Sequence, residues 1–222
     1  MAVNIETSGL NMQMWGTVVD RDGTVCAVAF SGVTRGSQWP GSRVISGQKA
    51  NTANAFSLAA PAGIFPTGLA LSTANLYSAV QPGGSLYGLQ HSNPVDTEVA
   101  YRGNSDNYGT PNDHMVGKKI GGVNVFGGGL ALYNASKQIV GAIGVSGDTS
   151  CADHMIGWRL RHNLNLDYLA GIGGVSGDAA RPGNIIYDIT PNPAGGTGNS
   201  AGGFGHPRCL NTGNQLALPA VR

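Results

Sequence analysis

The strongest constraint in the sequence lies at residues 124–164. The runs LALY and QIVGAIGV are strand-like, and Asn134-Ala135-Ser136-Lys137 supplies a turn between them. Gly127-Gly128-Gly129 precedes the first run, and glycines 141, 144 and 147 stud the second, where they allow close packing against it. Gly147-Asp148-Thr149-Ser150 then leads into a helix predicted over 151–164. Ser150 and Asp153 have the spacing of a capping box, and Ala152, Ile156 and Leu160 form the stripe to be buried. A hairpin that delivers the chain directly into a capped helix calls for an α+β fold built on an antiparallel sheet.

The rest of the chain fits that frame. Residues 11–19 and 24–30 read as two strands around the turn Asp20-Arg21-Asp22-Gly23. Residues 42–58 read as a helix, with Ile45, Thr52 and Phe56 on one face and Lys49 snorkelling from it. A second helix is expected over 68–80, capped by Thr67 and ended by Pro82-Gly83-Gly84. Residues 93–122 are polar and lack a period, which points to a functional loop or an oligomer contact. From residue 171 the chain is rich in Gly and Pro, with one apolar island, NIIYDI. The division expected is a domain over 1–170 and a Gly/Pro-rich C-terminal extension over 171–222, packed on the domain or on a neighbouring subunit. The pentapeptide GVSGD occurs at 144 and again at 174, but its flanks differ, so it marks no repeat.

Composition excludes several functions. Thirteen Lys and Arg face twelve Asp and Glu, a net charge of +1, so no basic surplus invites nucleic acid or anionic membranes. No apolar run is long enough to span a bilayer. The first fifteen residues carry neither Lys nor Arg and no apolar centre, so they are no secretory signal. The expected location is cytoplasmic, or periplasmic or secreted if a leader has been removed. The glycines at 141, 144 and 147 miss the dinucleotide-binding spacing, and Ser146 fails the nucleophile-elbow pattern because Asp148 stands where glycine belongs.

The residues left for chemistry are cysteines and histidines. Cys26, in TVCAVAF, reads as a buried small hydrophobe. Cys151 and Cys209 are either a disulfide, which implies an oxidising compartment, or two free thiols. His154 follows Cys151 by three residues on one helix face, and His206 sits in Gly205-His206-Pro207-Arg208-Cys209. If Cys209 reaches Cys151, both imidazoles gather near one helix N-terminus, a plausible site for iron or another metal held by His154 and His206.

Several segments resemble the GlcG/HbpS-like family, whose fold is shared by the C-terminal domain of PduO-type proteins. They are SRVISGQKANTANAF, PGGSLYGLQHSNP and above all VFGGGLALYNASKQIVGAIGVSGDTSCADH. The glycine triplet 127–129, the GAIGVSG run ending at Gly147 and Asp153 follow in the family's order, as do the VVDRDG hairpin at 18–23 and the KANTA helix at 49–53. The likeness spans roughly residues 12–164. It implies a profilin-like antiparallel sheet with packed helices, homo-oligomers that are often octamers, and non-covalent haem binding in several members. The long N-terminal helix usual in that family is missing or very short here, and the 93–122 stretch and the tail are additions. On this resemblance the protein is expected to bind haem and to act in haem handling or redox sensing. His154, His206 and His91 are the candidate donors, and Arg159 and Arg43 the candidates for the propionates. Two alternatives stand beside it: an enzyme of a small hydroxy acid or carbonyl compound with a bound cofactor or metal, and a non-catalytic oligomeric accessory subunit.

Overall fold

A computed structural model describes residues 2–222. Its centre is a four-stranded antiparallel sheet made from the two hairpins read in the sequence. Strands β1 (Trp15–Asp20) and β2 (Val25–Phe30) form the first, and β4 (Gly129–Tyr133) and β5 (Ile139–Ser146) the second. The order is β2-β1-β5-β4, so the two hairpins join through β1 and β5, with Trp15 opposite Ser146 and Asp20 opposite Gly141. Helix α1 (Ser42–Phe56) covers one face and α3 (Ser150–Asn163) the other.

Strand alternation makes the two cores. Ile143 and Val145 of β5 pack with Leu130, Met155, Ile156 and Trp158 on the α3 side. Ala142 packs with Trp15, Val19, Ala50 and Ala53 on the α1 side. Six of the eight β5 residues are buried, as expected of a central strand covered on both faces. The glycines bring α1 down onto the sheet. A Cβ on Gly144 would stand 1.9 Å from the Ser46 carbonyl oxygen, and one on Gly129 would stand 2.4 Å from that of Lys49. Side chains at either position would lift the helix off the strands.

Several expectations are corrected. Residues 68–80 are not a helix. They form a short strand β3 (Leu69–Ala70) and two 3-10 turns (Thr73–Leu76 and Ser78–Val80). β3 pairs in parallel with β6 (Gly173–Gly174), and Asn75 Nδ2 donates to the Asn184 carbonyl at 2.9 Å. Partners from a hundred residues downstream outweigh the local helical period. Helix α3 is capped by Thr149, whose hydroxyl accepts from Ala152 N, not by Ser150. Cys26 is exposed, because β2 is an edge strand and position 26 points out of the core. Lys49 does not snorkel; it is buried in an ion pair.

The 93–122 stretch is ordered against the domain. It carries a short helix α2 (Thr97–Tyr101) with an Asp96 cap, and Val99, Ala100, Met115 and Ile120 complete the core on the α1 side. The tail after residue 170 is held equally well. It adds a small ribbon of β7 (Ile189–Thr190) and β8 (Asn199–Ser200). Ile185 and Leu218 enter the core on the α3 side, and Trp158 Nε1 donates to the Pro219 carbonyl at 2.9 Å. Arg222 pairs with Asp167. Among the described residues no helix is long and apolar enough to cross a membrane.

Candidate functional site

Where β5 ends and α3 begins, the two helices face each other past the rim of the sheet and leave a cleft of about 280 Å³. Ser42, Ile45 and Lys49 of α1 line one wall, and Ser146, Ser150 and Asp153 the other. Trp39 and Phe126 also line it, with 47% and 45% of their surfaces exposed.

An ion pair joins the walls. Lys49 Nζ donates to Asp153 Oδ2 at 2.7 Å and to the Val145 carbonyl at 3.0 Å, and both side chains are almost wholly buried. Asp153 Oδ1 accepts from Asp148 N at 2.9 Å. Burial pushes the Asp153 carboxyl up to about 6, against the opposing pull of the Lys49 ammonium. Burial likewise lowers Lys49, with Asp153 opposing it. Both partners are therefore biased toward neutrality, as desolvated charges are. Asp148 also lines the cleft but serves the frame: its carboxylate accepts from Leu10 N and Met12 N and ties the N-terminal segment to the head of α3.

The expected site residues fall in different places. Cys151 and Cys209 form a disulfide. It holds the tail at the head of α3, and both histidines bond on the tail side, outside the cleft lining. His206 Nδ1–H donates to the Pro207 carbonyl at 2.7 Å, which leaves Nε2 to accept from the Ser150 hydroxyl at 3.0 Å. Its ring leans on Tyr77. His154 is fully buried, with Nε2 3.2 Å from Asn184 Oδ1 and Nδ1 unpartnered. Nε2 also lies 3.2 Å from Ile185 N, whose N–H is shared with Asn184 Oδ1 at 2.9 Å. Burial lowers His154 to about 3 and His206 to about 4, so both are neutral at pH 7. Arg43 is locked to Asp113 and to the Ala100 carbonyl, Arg159 pairs with Glu6, and His91 is exposed in a turn; none of the three lines the cleft. A wider depression of about 420 Å³ lies beside Arg43, and the Tyr108 hydroxyl on its wall is taken by the Tyr101 and Arg102 carbonyls.

The sequence reading missed the Lys49–Asp153 pair. Its signal was a lysine on a helix face otherwise made of Ala50, Ala53 and Ser46, a position where a charge needs a buried partner.

An α+β domain with helices on both faces of a four-stranded antiparallel sheet, and a cleft at the mouth of one hairpin, defines the class. Residues 3–158 match the family described as haem-degrading, HbpS-like proteins, and the chain belongs to that family. The crystal structure of Klebsiella pneumoniae protein ORFY is 27% identical, over 70% of this chain and 77% of that one, with a TM-score of 0.43. The crystal structure of a PduOC–haem complex is 24% identical, over 71% of this chain and 82% of that one, with a TM-score of 0.45. No curated protein matches the sequence.

The donors at the cleft can be tested against haem. The cleft offers two aromatic side chains and the hydroxyls of Ser42 and Ser146, and its lining holds no imidazole; the Lys49 ammonium, the Asp148 and Asp153 carboxylates and the Ser150 hydroxyl are already engaged. Hydroxyl oxygens are hard donors that suit ferric iron, so the residues present fit a haem with an oxygen ligand. Its volume lies just under the range usual for drug-sized ligands, so a porphyrin would be only partly enclosed.

Proposed function

We propose that the protein binds haem reversibly at the cleft between α1 and the head of α3 and acts in haem handling. The observation that carries this reading is that every residue lining the cleft falls within the family-matched segment 3–158. Trp39 and Phe126 would hold the apolar macrocycle, and the hydroxyls of Ser42 and Ser146 could supply an oxygen ligand. When bound, haem supplies a redox-active iron. Partial enclosure favours exchange over permanent retention. Redox sensing and assembly into homo-oligomers belong to the same proposal. The disulfide supports an oxidising compartment, periplasmic or extracellular.

Titration of haemin into the purified chain tests this. The haemin Soret band should shift and sharpen as protein is added, and Trp39→Ala should weaken binding about tenfold, the loss of one aromatic contact worth about 1.4 kcal/mol. His206→Ala should give the same shift. If the wild-type chain leaves the spectrum of free haemin unchanged the proposal fails, and loss of the shift in His206→Ala would return the axial role to that imidazole.

One observation favours a second reading, an enzyme of a small hydroxy acid or carbonyl compound. A cleft of about 280 Å³ beside a carboxyl poised near 6 suits proton transfer to a small substrate. Under that reading Asp153→Asn abolishes turnover while haemin binding, if any, persists.

A further inference from the structure

Three donor groups lie outside the cleft and have no part in haem binding there. The sulfurs of Cys151 and Cys209 and a ring nitrogen of His206 all fall within 4.8 Å of one another. Two of these residues, Cys209 and His206, lie in the tail beyond the family-matched segment. The imidazole is already set as a ligand would be. Its Nδ1–H is fixed by the Pro207 carbonyl, so the Nε2 lone pair faces the Ser150 hydroxyl, itself 3.6 Å from Cys209 Sγ. A carbonyl that accepts from one ring nitrogen, fixes the tautomer and aims the other nitrogen is the usual support of a metal-bound histidine. Both His206 and Cys151 are buried, while Cys209 is partly exposed at the surface.

From this arrangement we infer that the disulfide is the locked form of a zinc site. When it is reduced, the thiolates of Cys151 and Cys209 and Nε2 of His206 hold one Zn²⁺, with water in the fourth position. Zinc–sulfur bonds of about 2.3 Å and zinc–nitrogen bonds of about 2.0–2.1 Å place tetrahedral donors roughly 3.3–3.8 Å apart. The cluster spans no more than 4.8 Å, so the sulfurs must part and the imidazole close in by about an ångström, shifts within the reach of side-chain rotation. The electrons come from a dithiol reductant. Its thiolate attacks the accessible Cys209 sulfur, the S–S bond breaks, and Cys151 leaves as a thiolate at the N-terminus of α3, where negative charge is favoured. The second thiol of the reductant then releases Cys209, and the reductant ends as a disulfide. Zinc replaces the two protons of the resulting thiols. The site is therefore closed under oxidising conditions and open under reducing ones, and it ties the tail to α3 in either state.

The full chain is reduced with a phosphine, desalted anaerobically and titrated with Co²⁺ and then Zn²⁺. The reduced protein should take up one equivalent of cobalt with a thiolate-to-cobalt charge-transfer band that zinc abolishes, and the oxidised protein should show no such band. Cys209→Ser should lose at least half the band's intensity, and His206→Ala should bind zinc about tenfold or more weakly, in line with the loss of a tuned ligand. Circular dichroism of the reduced, metal-free chain should show the fold retained. The inference is overturned if the reduced chain binds no cobalt, if His206→Ala binds zinc as tightly as the wild type, or if reduction alone unfolds the protein.

Discussion

Helix α1 carries two buried cations, six residues apart, and the protein treats them differently. Arg43 meets Asp113 through two nitrogens, donates to the Ala100 carbonyl at 2.6 Å and stacks 3.6 Å over the Tyr108 ring. Asp113 also accepts from Gly109 N and Met115 N. Burial works against its charge, yet the Arg43 hydrogen bond and these two amides outweigh burial and hold the carboxyl below its usual range. Lys49 has one contact to Asp153 and one to a carbonyl, and there burial prevails and the carboxyl rises to about 6. The first pair is a fully satisfied lock between α1 and the 93–122 segment. The second lines a cleft and stays close to a proton-exchange point near physiological pH. A planar, bidentate guanidinium makes a structural tie; a single ammonium contact leaves a titratable group.

The largest test of that contrast is deletion of each carboxylate. Asp113→Ala leaves Arg43 buried without its partner and should cost about 3–5 kcal/mol in denaturant unfolding. Asp153→Asn should cost less, about 1–3 kcal/mol, because Lys49 is already biased toward its neutral form and the amide oxygen can still accept from Asp148 N. Equal losses would erase the distinction.

Acid gives the next largest effect. His154 and His206 have folded values of about 3 and 4 against an unfolded value of about 6.5. Their stabilisation is therefore present above pH 6.5 and lost as the pH falls toward 4. Each should cost roughly 2 kcal/mol at pH 5. Asp153 works in the opposite sense. Its folded value is raised, so its contribution is full below about pH 4 and is lost as the pH rises through about 6. Asp113, held low, behaves as an ordinary paired carboxylate whose support disappears only in stronger acid. Stability between pH 7 and pH 5 should fall overall, and His206→Gln should flatten the fall. Carbon NMR of labelled aspartates should show Asp153 titrating near pH 6 while Asp113 does not move. If both titrate together, burial and not hydrogen bonding sets both carboxyls.

The smallest effect concerns the cleft itself. Trp39 is half exposed, so Trp39→Ala should change unfolding stability by no more than about 0.5 kcal/mol while weakening haemin binding. A stability loss well beyond that would make Trp39 part of the frame instead of the cleft.

Sequence alone determined the two hairpins, α1, α3 and the α+β class, because each is set by periodicity and turn chemistry within twenty residues: the turn at Asp20–Gly23, the strand QIVGAIGV, the start of α3 beside Thr149. The site was half legible. The glycine ribbon and the head of α3 were found, and so were Cys151 and His154 on one helix face. Which way those groups turn was decided by residues far away in the chain: Asn184 holds His154, Pro207 and Ser150 fix His206, and Lys49 meets Asp153 across 104 positions. The same holds for residues 68–80, whose helical spacing yields to pairing with Gly173–Gly174. A local period states what a segment can bury. Only the folded chain states what it is buried against, and burial and partners, not residue type, set whether a lysine snorkels or pairs and whether a histidine faces a ligand or the core.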